Sequence, residues 1–514
     1  MPREIELKLF LPDDAEDTLA AAPLLREVKP RRVQLDATYF DTPDRLLQKH
    51  GMALRLRRAG RQWVQTLKAA ESARGGLSAR SEWESPARLV RGTPRIDITK
   101  LAETPLPALL ARHRAQAKLQ PRFRVRVRRT LWEIEFRGSR IEVATDRGRI
   151  EAECHGRRVS LPVAEIELEL KDGRPEDLTA AALRLTGRGK TGLALVPMLS
   201  GKAERGYRLV SGEPVPPTKA AARGFVAALE GDMTSGAALR AIVAHGLDVL
   251  LANTAALRDV HAPEYVHQAR VALRRVRSAV RLPDRKHDDF PEALALELRW
   301  AARLLGAARD WDVLVAQTLP KLFATAPREL RGEVTATLAL AQARRDAARA
   351  DVLAVLGTAR FARLALRLQA WTMTTPPKGR TLKRLAPRAL GKAHRRLFDA
   401  AQFFAALSPE RRHRVRILAK RLRYALDVMS VALPREATER YIKALAELQD
   451  VLGELNDGAV SLASLDSLTE SNVVRRLAFT RIEKSRQDLT VTAESLLLAL
   501  QGAALPWKLV HVRN

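Results

Sequence analysis

The chain has 514 residues, with 89 Lys and Arg against 59 Asp and Glu, for a formal net charge of +30. Its 46% hydrophobic residues can fill the cores of two or three domains, which excludes a disordered chain. The single cysteine, Cys154, excludes an intrachain disulfide and a cysteine-built zinc cluster, as fits a reducing compartment. The start, Met1-Pro2-Arg3-Glu4-Ile5-Glu6, is charged and lacks an apolar run of signal-peptide type, and the late apolar stretch at 495–505 is too short to span a bilayer. These features predict a cytoplasmic protein, off the membrane, whose charge calls for an anionic partner.

Along residues 1–210, polar and apolar residues alternate in short runs. Glu4 to Leu9, Leu54 to Arg57, Arg124 to Arg128 and Glu165 to Leu170 all carry this signal of β-strands. Glycine-bearing turns at Arg137-Gly138, Arg147-Gly148 and Asp172-Gly173 punctuate them, and little helical pattern intervenes. An antiparallel sheet or barrel is expected. A Pro-rich connector follows at 211–219. From about residue 220 to 508 the pattern becomes helical, in Ala/Leu/Arg segments broken at Pro263, Pro283, Pro320, Pro376, Pro409 and Pro434.

The helical half repeats itself. The run from Val266 to Arg277 aligns with Arg412 to Arg423 at an offset of 146, seen in His267 against His413. The segment Leu305-Gly306-Ala307-Ala308-Arg309-Asp310 aligns with Leu452-Gly453-Glu454-Leu455-Asn456-Asp457 at an offset of 147. Two matches in the same order indicate a duplicated helical unit.

Side chains on a strand alternate, so Glu4, Glu6 and Lys8 share one face, and Glu165, Glu167 and Glu169 another. Arg55 with Arg57, Thr66 with Lys68, and Arg124, Arg126 and Arg128 form faces of opposite sign. Charged strand faces usually meet water. The alternative puts them inside a barrel, where carboxylates hold a hard divalent cation and Arg or Lys grips phosphate. Alternation alone leaves both open, although three carboxylates on one face repel unless a cation neutralises them.

With Glu4-Ile5-Glu6-Leu7-Lys8, the chain resembles the CYTH domain, the triphosphate tunnel metalloenzyme family, through its ExExK signature. The resemblance continues through Tyr39-Phe40-Asp41-Thr42-Pro43, Gly51 to Arg58, Trp63 to Lys68, Ser81 to Glu84, Asp146-Arg147-Gly148, Glu165 to Lys171 and Lys202 to Tyr207. It implies a multidomain α+β protein with an N-terminal eight-stranded antiparallel β-barrel tunnel over residues 1–210. By the same resemblance Glu4, Glu6, Glu167 and Glu169 bind Mg²⁺ or Mn²⁺, with Glu165 as a further member. Arg55, Arg57, Lys68, Arg126, Arg128 and Lys202 cradle the phosphates, and Lys8 sits beside the scissile phosphoryl group. Gly201 departs from the family, whose members usually carry Ser before the last lysine.

On a helix, His267, Arg270, Arg274 and Arg277 fall on one face, and His413, Arg416, Lys420 and Arg423 repeat that stripe. A stripe of this kind is either a solvated face or a polyanion seat, and its repetition favours the second. This half resembles the CHAD domain, which implies two pseudo-symmetric four-helix bundles that bind inorganic polyphosphate through the stripes. In the first repeat Pro283 is expected to end its helix early.

The resulting expectation is metal-dependent hydrolysis of inorganic triphosphate in the tunnel, with a helical module for inorganic polyphosphate and a place at polyphosphate granules. Two alternatives stand beside it. One is processing of a nucleoside or thiamine triphosphate, as adenylate cyclase or thiamine triphosphatase. The other is a non-catalytic polyanion or nucleic-acid binder, against which the scarcity of aromatics (5%) counts.

Overall fold

A computed structural model describes residues 3–59, 62–91, 93–187, 189, 192–260, 262–281 and 289–509. Pro283 lies outside these residues. The chain forms two compact units, Met1–Pro217 with Val355–Met373, and Thr218–Ala354 with Thr374–Asn514. The first unit therefore takes a segment from the helical half, which the sequence pattern did not set apart.

In the first unit ten strands run β1 Arg3–Phe10, β2 Arg31–Asp41, β3 Met52–Ala59, β4 Gln62–Arg74, β5 Leu77–Pro86, β6 Arg88–Val90, β7 Thr93–Arg95, β8 Gln120–Phe136, β9 Ser139–Cys154 and β10 Arg157–Asp172. Eight close an antiparallel barrel in the order β1-β10-β9-β8-β2-β3-β4-β5, while β6 and β7 pair apart from it. Helices α1 Glu16–Ala20, α2 Leu46–Lys49, α3 Leu106–Arg112, α4 Pro175–Thr186 and α5 Lys202–Ser211 accompany the barrel.

This barrel keeps much of its apolar core on the outside. Leu7, Leu9, Ile166, Leu168, Trp132 and Ile134 point outward and pack with Leu19 of α1 and Leu178, Ala181 and Leu185 of α4. Leu54 and Leu67 pack outward beneath α2 and α3. Since neighbours on a strand face opposite ways, burying these leucines under helices turns Glu4, Glu6, Lys8, Arg55, Arg57 and Lys68 inward. The Asp41 motif has a structural part in this. Its carboxylate accepts backbone N–H bonds from Thr42, Leu47 and Gln48, which fixes the turn from β2 into α2.

The second unit is helical: α6 Ala222–Val226, α7 Ser235–Ala256, α8 Pro263–Ala279, α9 Glu292–Val313, α10 Leu319–Phe323 and α11 Arg331–Leu356 precede α12 Ala359–Thr372, which belongs to the first unit. Then come α13 Leu382–Ala401, α14 Pro409–Met429, α15 Arg435–Leu468 and α16 Asn472–Gly502. The last four bury Leu390, Leu397, Leu422, Leu426, Leu445 and Leu497 in one core. The first repeat packs α7 on α8 and α8 on α9, with Val352 of α11 buried, and α8 also meets α14. By length and apolarity α7 and the segment Asn472–Lys508 could each cross a membrane, the second although its last apolar stretch alone is too short; 56% of the apolar window is buried within the protein in the first and 28% in the second.

Candidate active site

Inside the barrel lies a cavity of about 360 Å³. Strand register sets its contents. Glu6 of β1 stands opposite Glu169 of β10, and Lys8 opposite Glu167, so a pair of carboxylates lies next to an ammonium–carboxylate pair along the seam. Lys8 is buried against Glu6 and lies 3.5 Å from Glu167. Across the cavity, the Lys68 ammonium donates to both Glu4 oxygens at 2.6 and 2.8 Å and sits 3.4 Å from Glu82. Arg55 lies 3.6 Å from Glu82, and Arg57 pairs with Glu84 at 2.9 Å.

Helix α5 packs against the inner wall at one end. Its Tyr207 meets the Phe123 ring, which stacks on Tyr39 at 4.6 Å. Gly206 allows that approach, because a Cβ there would come within 2.2 Å of the Phe123 ring. The first residue of α5, Lys202, thereby reaches Asp146 at 2.6 Å, Glu167 at 3.0 Å and the buried Glu165. Arg205 also holds Glu165, and Arg129 pairs with Asp146 at 2.6 Å and with Glu167.

The carboxylates divide by environment. Burial pushes Glu167 up, but Lys202, Lys8 and Arg129 outweigh it and hold the group well below the usual range. Burial acts against Glu6 in the same way, and Lys8, Lys68 and Arg80 bring it down to about 2. Glu4 and Glu169 go the other way. Burial raises both despite Lys68 and Lys171, and neighbouring carboxylates add to the rise. Asp146, Glu165 and Glu167 come within 4.8 Å of one another, as a metal site would require, but Arg129, Lys202 and Arg205 already neutralise them. Glu4, Glu6 and Glu169 line the same cavity from β1 and β10, where Lys68 meets Glu4, Lys8 meets Glu6 and Lys171 meets Glu169 at 2.7 Å.

Two expected phosphate ligands are not in the cavity. Arg126 lies outside with Asp36 and Glu151 at 3.8 and 3.6 Å, and Arg128 outside with Glu16 at 3.3 Å. On β8 the inward face is Val125, Val127, Arg129 and Leu131. The outward face carries these arginines and then Trp132 and Ile134, whose burial under helices fixes its direction. Arg129 was missed, although as the basic residue on an otherwise apolar face it carries a legible signal. Arg80, Glu142 and Lys171 also line the cavity and were not singled out.

In the second unit, Arg274, Arg270, Arg416 and Lys420 act on one another electrostatically where α8 meets α14. Arg274 lies 5.5 Å from the Tyr424 ring centre. Arg270 lies 3.4 Å from Asp310, and Arg416 lies 3.7 Å from Asp457. His413 contacts Asn456 at 2.5 Å, while burial and nearby arginines lower the pKa of His267. Burial and the charges of Arg281, Arg299 and Arg303 lower the pKa of Arg277, and Arg423 donates to Gln449 at 3.3 Å. The stripes thus converge through four of their eight members.

Comparison with known proteins agrees with both halves. Over 187 residues the chain is 35% identical to the inorganic triphosphatase of Haemophilus influenzae, covering 35% of this chain and 48% of that protein. The chain thus spans about half the length of that relative. The crystal structure of a CHAD domain from the plant Ricinus communis is 31% identical, covers 57% of this chain and 98% of its own, and superposes with a TM-score of 0.44. A Hippeastrum protein described as an adenylyl cyclase with a dominant triphosphatase activity is 19% identical, covers 39% and 92%, and has a TM-score of 0.25. Residues 2–190 match the CYTH domain and residues 241–466 the CHAD domain, so the chain carries a CYTH domain followed by a CHAD domain.

Proposed function

We propose that the barrel hydrolyses inorganic triphosphate to diphosphate and phosphate, and that the helical unit binds inorganic polyphosphate. The observation that carries the first part is the inverted polarity of the barrel: apolar side chains outside, and Lys8, Arg55, Arg57, Lys68 and Lys202 around a cavity inside. A linear phosphate chain offers many acceptor oxygens and no apolar surface, which suits such a lining.

Arg55, Arg57, Lys68 and Lys202 bind and straighten the chain, and Arg80 and Arg129 take the place expected for Arg126 and Arg128. Lys8, buried between Glu6 and Glu167, donates to the phosphoryl group under attack. Glu4, Glu6 and Glu169 would hold Mg²⁺ or Mn²⁺. When bound, that ion screens phosphate charge and makes water a better nucleophile. Glu167, expected in the same set, stands among Lys8, Lys202 and Arg129 in the free protein.

Phosphate release from tripolyphosphate should need Mg²⁺ or Mn²⁺, stop with a chelator, and disappear in Glu4→Ala plus Glu6→Ala. Normal turnover by that double variant sinks the tunnel reading. For the helical unit, the convergence of Arg270, Arg274, Arg416 and Lys420 supports a phosphate-chain seat, and through it an association with polyphosphate granules. Intact protein should keep long-chain polyphosphate against an equal phosphate concentration of DNA. Displacement by DNA would favour a general polyanion binder.

A further inference from the structure

The pseudo-two-fold that relates α8 to α14 is broken on one face. In the first repeat Arg275 of α8 pairs with Asp427 of α14 at 2.7 Å and lies 5.5 Å from the Phe225 ring centre. The chain around residues 218–226 covers this face. Gln268 accepts the Ala220 N–H at 2.7 Å, and Arg275 donates to the Ala220 carbonyl at 3.0 Å.

The offset of 146 carries Arg275 to Arg421, Asp427 to Arg281 and Gln268 to Arg414. A salt bridge in one repeat thus becomes a like-charge pair in the other, with Arg396 and Arg414 also acting on Arg421. The face is an open cleft of about 930 Å³, in which Arg396, Arg411, Arg414 and Arg421 surround Leu407 and Ile417. Among the described residues none of these four guanidinium groups has a carboxylate partner, although Asp399 also lines the cleft. At the rim Phe403 is 84% exposed and holds φ at 53°, a left-handed conformation that a bulky residue seldom adopts.

We propose that this cleft binds a nucleoside phosphate. Arginines with no carboxylate partner among the described residues call for an anion. Replacement of Gln268, which accepts a peptide N–H, by Arg414, which only donates, favours phosphate oxygens over a peptide backbone at that point. The first repeat seats an aromatic ring beside Arg275, and Phe403 with Ile417 offers a flat or apolar ligand group a surface in the second. An inorganic phosphate chain would leave that surface unused. Asp399 supplies the acceptor that an amino group on a base requires.

The probe is AMP, because its single phosphate separates this cleft from a tunnel built for triphosphate. Calorimetry on the intact protein without divalent metal should show a saturable AMP site, with pyrophosphate and adenosine each binding more weakly. Arg414→Ala plus Arg421→Ala should weaken AMP binding about tenfold or more, without changing the thermal melt. Phe403→Gly, which accepts the backbone conformation, should weaken it by a smaller factor. The proposal is overturned if AMP shows no saturable site, if pyrophosphate at equal concentration displaces AMP from the site that Arg414→Ala plus Arg421→Ala removes, if AMP binding survives loss of both arginines, or if an acidic peptide bearing Phe displaces AMP more effectively than unlabelled AMP does.

Discussion

Asp310 accepts a hydrogen bond from Arg270 at 3.4 Å, and the second repeat copies the relationship as Asp457 beside Arg416 at 3.7 Å. These aspartates close the Leu-Gly…Asp segments whose repetition first marked the duplication. Their position gives the segments a physical role. Each carboxylate takes up a guanidinium face that a phosphate would otherwise meet, and it offsets the repulsion between Arg270, Arg274, Arg416 and Lys420 in the free protein.

Asp310→Asn with Asp457→Asn should therefore tighten polyphosphate binding by a few fold at low salt. The slope of log affinity against log salt should steepen by about 0.7 for each arginine released to phosphate. Salt-dependent binding of a labelled chain measures both. Unchanged affinity would mean that the aspartates do not compete with the ligand.

Lys420 should give anion binding where α8 meets α14 a pH dependence. Burial, then Arg416 on its own helix and Arg274 and Arg270 on α8, lower its pKa to about 7, against a smaller opposing effect of Asp457 on α15. An anion favours the charged form, so binding should take up a proton when the pH lies above 7. Affinity should fall as the pH rises from about 7 toward 9. Lys420→Arg should remove that fall, and calorimetry in buffers of different ionisation enthalpy should register the proton. The stability effect has the opposite sense. Between about 7 and 10.5 the unfolded chain binds more protons than the folded one, so this group makes the fold more stable as pH rises. Polyphosphate binding that does not vary over this range would exclude Lys420 as a ligand.

How much of this could be read in the sequence depended on whether one strand face had a helix to bury it. On β1 the alternation of Glu4, Glu6 and Lys8 with Ile5, Leu7 and Leu9 gave a parity, and the motif series named the inside correctly. The same alternation on β8 gave a parity for Arg124, Arg126 and Arg128 but no direction, because Val125 and Val127 suit the cavity wall as well as a core, and the motif series turned Arg126 and Arg128 inward where the structure has them outside. What decides the direction is downstream, at Trp132 and Ile134, which belong under helices. Lys171 continues the parity of Glu167 and Glu169 on β10, and Arg80 that of Glu82 and Glu84 on β5, so their inward direction was legible although neither was singled out. The repeat at 146 was legible, but the partners of its stripes came from α9 and α15, elements a pattern along one helix cannot place.

The β8 direction makes a contrast within one strand. Arg126→Ala and Arg128→Ala should leave triphosphate hydrolysis and the thermal melt nearly unchanged, since both pairs lie on an exposed outer face. Arg129→Ala strips Asp146 and Glu167 of a buried counter-charge. Removing one partner from such a network costs about 3–5 kcal/mol, and the melt should fall accordingly together with turnover. Arg129→Lys should recover part of the stability but less of the activity, because an ammonium cannot present the planar fork that now meets both carboxylates. Loss of hydrolysis in Arg126→Ala would reverse the assignment of faces.

The helix α12 makes the tunnel depend on sequence from the other half of the chain. Leu366 is fully buried in the core that α4 forms against β1 and β10, Arg363 donates to the Gly187 carbonyl at 2.9 Å, and the Met373 sulfur lies 3.9 Å from the Thr179 hydroxyl. A fragment of residues 1–217 would lose the part of this core that Leu366 fills and bare the Thr179 side of α4, which Met373 now meets. That fragment should melt earlier than the full chain's tunnel unit, bind a hydrophobic dye, and be stabilised by adding residues 355–373 as a peptide or a fused helix. In the full chain Leu366→Ala should cost about 2–5 kcal/mol, as expected for a large buried side chain whose space cannot fully collapse. If 1–217 alone melts like the unit in the full chain and gains nothing from the peptide, α12 is a passenger on the barrel rather than part of its core.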